Sequence, residues 1–185
     1  MKKKIALAVA ALIVVPILAI LGYAATKPDA FKVQRSITIN APAEQIFPLI
    51  NDLHSWEGWS PFEKLDPAAK RTFSGPSIGP GSSYEWAGNS QIGKGKMEIT
   101  ESASPSKVLI NLSFKEPFEG QAVAEFSLKS QGEGTTVTWA MTGVQPYMGK
   151  VMSVFIDCDS MVGKDFETGL ATLKKVSETA SEKTP

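Results

Sequence analysis

A two-residue alternation of apolar and polar side chains between Lys70 and Val144 limits the possible folds of this chain more than any other feature. Successive side chains of a β-strand point to opposite faces, so this alternation is typical of strands that bury one face. Clusters of turn residues divide the region into short runs, and an earlier alternating run begins at Phe31. The sequence therefore predicts seven antiparallel strands, near residues 31–40, 69–74, 82–87, 93–102, 106–115, 120–130 and 134–144.

A period of three to four residues replaces the alternation after Pro146, as on the buried face of an amphipathic helix. Gly163 and Gly169 would each cost about 1 kcal/mol relative to alanine in a helix, so we expect them where the helix passes close to another part of the chain. A shorter helix is expected to follow Pro42. One long helix is predicted over 147–178, and its apolar positions are Val151, Val154, Phe155, Cys158, Val162, Phe166, Leu170 and Leu173.

This order of elements predicts one α+β domain over residues 27–179, followed by a polar tail at 180–185. A chain of 185 residues is of the size expected for a single domain. The sequence contains no internal repeat that would indicate a second domain.

The segment 1–26 has a different character, because no charge interrupts the run from Ile5 to Ala25. A helix of about 20 apolar residues is long enough to cross a bilayer. The three lysines at 2–4 favour an N-terminus in the cytoplasm and a domain on the periplasmic or extracytoplasmic side. Two interpretations stay open: an uncleaved membrane anchor, and a signal peptide cleaved near Gly22–Ala25 that would release a secreted or periplasmic domain.

Composition excludes several classes of function. After the three N-terminal lysines the chain carries sixteen basic and nineteen acidic residues, so it offers no electrostatic basis for binding nucleic acid. Cys158 and His54 are the single representatives of their types, which excludes a disulfide framework and a metal site built from histidine and cysteine. The sequence predicts neither a metal nor a cofactor.

Two motifs resemble catalytic signatures but lack the rest of the pattern. Gly75–Gly79 has the G-x-S-x-G spacing of a hydrolase nucleophile, yet the expected helix signals are missing after it and the only histidine comes earlier. Gly88–Lys94 has the spacing of a phosphate-binding loop, but Gly95 stands where that loop requires serine or threonine. We interpret both segments as turns.

His54 could serve as a general base oriented by Asp52, since imidazole titrates near neutral pH. The alternative is a polar loop residue. Asp157, Asp159 and Asp165 are interpreted as a solvated flank of the helix, because residues two apart on a helix do not share a face.

The apolar side of the predicted sheet is rich in aromatic residues and methionine. Such side chains usually form a plain core, but a curled sheet with a single helix can also enclose a ligand cavity. The residues alone leave both possibilities open. The inward side chains are Tyr84, Trp86, Met97, Ile99, Val108, Ile110, Leu112, Phe114, Ala122, Ala124, Phe126, Leu128, Val137, Trp139 and Met141.

Several short segments occur in an order that is similar to one known superfamily. They cover nearly all of residues 27–178 and are Lys27–Phe31, Arg35–Pro42, Trp56–Phe62, Gly75–Pro76, Tyr84–Gly88, Gly93–Met97, Thr135–Trp139 and Gly163–Leu170. Together they resemble the START-like helix-grip (SRPBCC) superfamily, and in particular its polyketide cyclase/dehydrase and lipid transport branch. The resemblance implies a seven-stranded antiparallel curved sheet wrapped around a long C-terminal helix. It also implies a hydrophobic cavity for lipids, polyketides, sterols or similar molecules, with Trp56 and Trp59 packed at its edge.

These expectations favour a membrane-tethered protein that binds or transports a hydrophobic small molecule or lipid. One alternative is a cyclase- or dehydratase-like enzyme, for which His54, Asp52 and Tyr84 are the candidate bases, although few polar side chains face inward. Another is a non-catalytic scaffold that binds an envelope protein. The predicted ligand-binding residues are Tyr84, Trp86, Met97, Ile99, Phe114, Phe126, Trp139, Met141 and Phe155.

Overall fold

The computed structural model describes residues 2–181, without the side chains of 2–11 and 158, so part of the predicted tail and the side chains of the three lysines lie outside it. It contains seven strands and five α-helices in this range. In chain order the elements are α1 (Lys2–Ala25), β1 (Ala30–Ile39), α2 (Ala43–Asn51), a 3-10 helix (Leu53–Gly58), α3 (Phe62–Leu65), β2 (Lys70–Ser74), β3 (Ser83–Ala87), β4 (Lys94–Ala103), β5 (Lys107–Glu116), β6 (Gly120–Gln131), β7 (Gly134–Val144), α4 (Tyr147–Met152) and α5 (Cys158–Ser181).

The seven strands form one sheet in the order β1-β7-β6-β5-β4-β3-β2. Strands β2 to β7 form an antiparallel meander, which brings Phe126 opposite Trp139 and Tyr84 opposite Met97. The register between β4 and β5 shifts at two places, and such irregularities increase the local bend and twist of a sheet. The predicted strands are confirmed, with their ends within one or two residues.

Helix α5 packs its apolar stripe against the concave face of the sheet. Phe166, Leu170 and Leu173 on this stripe are buried. The ring of Phe166 stacks on that of Trp139, with 4.0 Å between centroids. A Cβ atom at Gly169 would lie 2.9 Å from both Pro61 and the Trp139 ring, so the expected close approach is confirmed there. The core therefore lies between the sheet and α5.

The helix predicted over 147–178 is wrong in one respect, because it is divided into α4 and α5. The residues between them, from Ser153 to Asp157, include β-branched and aromatic side chains with low helix propensity. The Ser153 carbonyl accepts a hydrogen bond from the Lys27 ammonium at 2.5 Å instead of continuing a helical ladder. The break leaves Phe155 outside both helices.

Two compact units can be distinguished. Among the described residues, one holds those up to Phe31 together with Val144–Cys158, and the other holds Lys32–Gly143 and those from Asp159 onward. In the first unit α4 contacts α1, and the Tyr147 hydroxyl donates to the Leu21 carbonyl at 2.8 Å. Within the described part of the chain, no helix has the length and apolar character needed to cross a membrane.

Candidate functional site

The second unit encloses a cavity of about 350 Å³ between the concave face of the sheet and the helices. This volume is at the lower end of the roughly 300–1,000 Å³ typical of ligand pockets. The wall is mostly apolar. The sheet contributes Tyr84, Trp86, Met97, Ile110, Leu112, Phe114, Ala124, Trp139 and Met141, and the helices contribute Trp56, Phe62, Val162 and Phe166.

The structure brings six of the nine predicted ligand-binding residues to this wall, namely Tyr84, Trp86, Met97, Phe114, Trp139 and Met141. Ile99 and Phe126 are fully buried but belong to the packed core beside the cavity. Phe155 differs from the expectation, because it lies in the other unit and is 69% exposed. The break between α4 and α5 places it on a connecting segment rather than on the buried stripe. Ligand binding by these residues remains a prediction.

An aromatic cluster packs beside the cavity. The rings of Trp56 and Trp59 lie 4.7 Å apart, and both meet Phe126 and Trp139 edge-on. The two indole N–H groups donate to the carbonyls of Ile50 and Leu49, at 3.0 and 2.9 Å. These carbonyls lie in the last turn of α2, where a helix has no internal donor for them. Trp56 and Trp59 therefore have a packing role, and Trp56 also reaches the cavity wall.

A polar network on the wall joins three side chains from three elements. Glu63 of α3 accepts from the Arg71 Nε of β2 at 2.6 Å and from the Tyr84 hydroxyl of β3 at 2.9 Å. Sequence analysis identified Tyr84 but missed Glu63 and Arg71. Arg71 on β2 lies directly opposite Trp86 on β3. Opposite residues of paired strands share a face, so the inward position predicted for Trp86 indicated that Arg71 also faces inward. Glu63 had no such signal, since it lies on a helix of one turn.

Electrostatics keep Tyr84 and Arg71 each in one protonation state at neutral pH. Burial and the neighbouring Glu63 carboxylate raise the pKa of Tyr84 far above its ordinary value. The hydrogen bond to Glu63 also raises the pKa of Arg71. Tyr84 is therefore a neutral donor and Arg71 a permanent cation, which makes Tyr84 a poor candidate for a general base.

Two hairpins contribute to the mouth of the cavity. Gln91 and Ile92 come from the β3–β4 hairpin, and Glu116 to Phe118 come from the β5–β6 hairpin, where Phe118 is 70% exposed. A strand rather than a helix begins at Lys94, so the interpretation of Gly88–Lys94 as a turn is confirmed. A Cβ at Gly95 would collide with the Trp86 ring, and its absence lets that ring lie across β4.

His54 and Asp52 lie away from this cavity. The His54 Nδ1 atom is 3.1 Å from the Asp52 carboxylate, and its ring stacks on Phe73. Burial acts to raise the pKa of Asp52, but hydrogen bonds from His54 and Ser55 together lower it. A shallow second pocket includes His54 and Ser77, although no hydrogen bond joins these two among the described residues. The Gly75–Gly79 segment leads from strand β2 to strand β3, which confirms a turn and not a nucleophile elbow.

Solved structures share this fold at low sequence identity. A protein from Nitrosospira multiformis has a TM-score of 0.60 at 17% identity, over 83% of this chain and 100% of its own. The Aha1 dimer from Colwellia psychrerythraea has a TM-score of 0.57 at 16% identity, over 80% and 96%. CalU16 from Micromonospora echinospora has a TM-score of 0.53 at 15% identity, over 78% and 73%.

No curated protein matches the chain. The sequence profile described as polyketide cyclase / dehydrase and lipid transport matches residues 30–178, which include every strand and nearly all of α5. The resemblance to the START-like helix-grip superfamily is thereby confirmed. The chain belongs to the polyketide cyclase / dehydrase and lipid transport family.

Proposed function

We propose that this protein binds a hydrophobic small molecule or lipid in its cavity, at a membrane surface, and does not transform it. The observation that supports binding is the 350 Å³ apolar space between the sheet and α5. A well-packed core of this size would leave few voids larger than a water molecule. An open apolar cavity in a fold of this family is best explained by an apolar occupant.

The polar groups on the wall favour binding over catalysis. A general base needs a suitable pKa and access to the substrate. Glu63 is already bonded to Arg71 and Tyr84, and Tyr84 is held protonated. The other candidate pair, His54 with Asp52, is not part of the cavity wall. The network is therefore suited to holding a fixed geometry rather than to transferring protons.

Membrane attachment is proposed from the N-terminal segment. The uncharged run from Ile5 to Ala25 includes apolar side chains at 12–15 and 17–18 that are 49–76% exposed. Exposed apolar surface of this extent is unfavourable in water but stable against lipid. Only Thr26–Asp29 separate α1 from β1, so attachment of α1 would hold the start of the sheet close to the bilayer.

Binding is tested by filling the cavity. Ala124 lies on its wall, and we expect Ala124→Phe to reduce affinity for the uncharged apolar dye Nile red by about tenfold or more, because the new ring takes the space of the ligand. Ala140→Phe is the matched control, because Ala140 on β7 has its side chain on the other face of the sheet from Ala124. It should leave dye affinity unchanged. Native mass spectrometry of detergent-free protein should also detect a co-purified lipid. Equal dye affinity in both variants and a consistently empty protein would contradict the proposal.

Attachment is tested by fractionating cells that express the full chain or a variant lacking residues 2–25. We expect the full chain in the membrane pellet and the shortened chain in the supernatant. Mass spectrometry of the mature N-terminus separates an anchor from a cleaved signal peptide, because cleavage would remove the residues up to Ala24 or Ala25. A full chain that is found entirely in the supernatant would refute the membrane part of the proposal.

A further inference from the structure

The segment from residue 144 to residue 156 exposes a group of large apolar side chains. Exposed apolar side chains that are grouped in one short segment are typical of an interaction site. Two of them, Met148 and Met152, lie one turn apart on the same face of α4. The group, called the 144–156 surface below, is 42–74% exposed and consists of Val144, Tyr147, Met148, Met152, Phe155 and Ile156.

The charge of this segment is covered while its apolar side chains are not. Lys150 is the only charged residue from 144 to 156, and it is 7% exposed. Its ammonium donates to the exposed Asp29 carboxylate at 2.5 Å, so the pair has no net charge. Lysine normally keeps its ammonium in water and buries its carbon chain. A buried ammonium beside exposed Met148 and Phe155 is the reverse of that arrangement, and it suits a surface that meets an apolar medium.

The main chain of the segment is also satisfied internally. The four amides from Ser153 to Ile156 all donate to carbonyls of α4, at 2.9–3.2 Å. The Ser153 hydroxyl donates to the Lys150 carbonyl at 2.8 Å. Unpaired main-chain amides are costly away from water. The connecting segment can therefore lie against lipid without leaving these amides unpaired.

Contacts with α1 place this surface at one end of that helix. The Tyr147 hydroxyl donates to the Leu21 carbonyl at 2.8 Å. Leu21 lies four residues before Ala25, where both α1 and the uncharged run end. When α1 is attached as proposed, this end of the helix lies at the level of the lipid head groups, where tyrosine is enriched. The 144–156 surface is then held at the same level.

We propose that the 144–156 surface is a second membrane contact, which inserts its methionines, Phe155 and Ile156 among the lipids beside the end of α1. The inference rests on the proposed attachment through α1 and adds a further element to it. A contact of this size gives only weak, reversible binding by itself, as a single acyl chain does. It therefore fixes how the first unit lies on the bilayer, while α1 supplies the attachment.

A photo-crosslinking residue tests what covers this surface. In the full chain, p-benzoylphenylalanine replaces either Met148 or Phe155, and the protein is reconstituted in vesicles of phosphatidylcholine and phosphatidylglycerol. After illumination, mass spectrometry should detect lipid adducts at both positions. They should be about fivefold more abundant than with the same residue in place of Glu125, which is exposed on β6 in the other unit.

The outcomes distinguish this inference from the attachment on which it rests. Adducts to a second copy of the chain, or lipid adducts that are equally abundant at Glu125, would overturn the inference. No adduct at Met148 or Phe155 in a chain that sediments with the vesicles would also overturn it, while leaving attachment through α1 in place. A full chain that does not associate with the vesicles would overturn both.

A double variant tests whether the apolar side chains cause the contact. Met148→Ser with Phe155→Ser should reduce lipid adducts from a p-benzoylphenylalanine at Met152 about fivefold. Both side chains are exposed, so their loss removes no core packing. Phe118→Ser is the matched control, because Phe118 is equally exposed but belongs to the other unit, and it should leave the adducts unchanged. Undiminished adducts in the double variant would refute the proposal.

Discussion

At the scale of single residues, Glu63 determines the character of the cavity wall. Its side chain is 9% exposed, and its two oxygens each accept one strong hydrogen bond, from Arg71 and from Tyr84. A buried ion pair contributes little net stability, because desolvation opposes the attraction, but loss of one partner leaves an uncompensated charge. Glu63 therefore matters most for keeping the Arg71 charge away from ligands.

Glu63→Gln should convert this wall into one that accepts an anion. The variant keeps the shape of the side chain but leaves the Arg71 charge without a counter-ion, so the affinity for decanoate, measured by displacement of Nile red, should rise about tenfold. The free energy of unfolding in urea should fall by about 1–3 kcal/mol, because Arg71 is still partly exposed.

Glu116→Gln is the control for this change, since its pair with Lys94 is exposed on both sides. It should alter the free energy of unfolding by less than about 1 kcal/mol and leave the affinity for decanoate unchanged. An equal gain in decanoate affinity in both variants would show that overall charge, and not the buried cation, controls selection.

At the scale of elements, the strands were predictable because the two-residue period follows directly from the pleated backbone. The long helix was predictable in part. Its apolar period continues from α4 into α5, so pattern alone did not locate the break at 153–157. The break depends on contacts such as that between Lys27 and Ser153, which are far apart in the sequence. Phe155 was misplaced for the same reason.

The glycines of α5 provide a test of helix packing. Gly169→Ala places a Cβ 2.9 Å from Pro61 and from the ring of Trp139, both rigid groups. We expect a net loss of about 1–3 kcal/mol in the free energy of unfolding, although alanine favours a helix by about 1 kcal/mol. Affinity for Nile red should also fall, because Trp139 would move on the cavity wall.

Gly163→Ala is the natural comparison. There the new Cβ would meet the guanidinium of Arg35, the far end of a flexible side chain that can move away. Its free energy of unfolding should stay within about 1 kcal/mol of the original. A larger loss at Gly163 than at Gly169 in thermal or urea unfolding would be inconsistent with this account of the packing.

At the scale of the whole molecule, the residues that line the cavity and those that contact α1 belong to different units. The family profile likewise begins at residue 30, after α1. Sequence reasoning expected a boundary after residue 26, where the uncharged apolar run ends, and kept 144–158 in the same domain as the strands. The contacts of segment 144–158 with α1 were not predictable from the sequence. Tyr147 donates to the main-chain carbonyl of Leu21, and every residue type has such a carbonyl, so residue 21 carries no signal for this bond.

Removal of residues 2–25 should therefore separate attachment from ligand binding. The shortened chain keeps Lys27 and Asp29, which bond to Ser153 and Lys150, but loses the acceptor of Tyr147 at Leu21. We expect Nile red affinity to stay within about twofold of that of the full chain, because every lining residue is retained. Hydrogen exchange should become faster at 144–157 and stay unchanged in β3 to β6, since only the first unit loses a contact.

Tyr147→Phe in the full chain should reproduce part of the faster exchange by removing that single bond. A loss of dye affinity of about tenfold on shortening would mean that α1 contributes to the binding site, and the division of roles would be wrong.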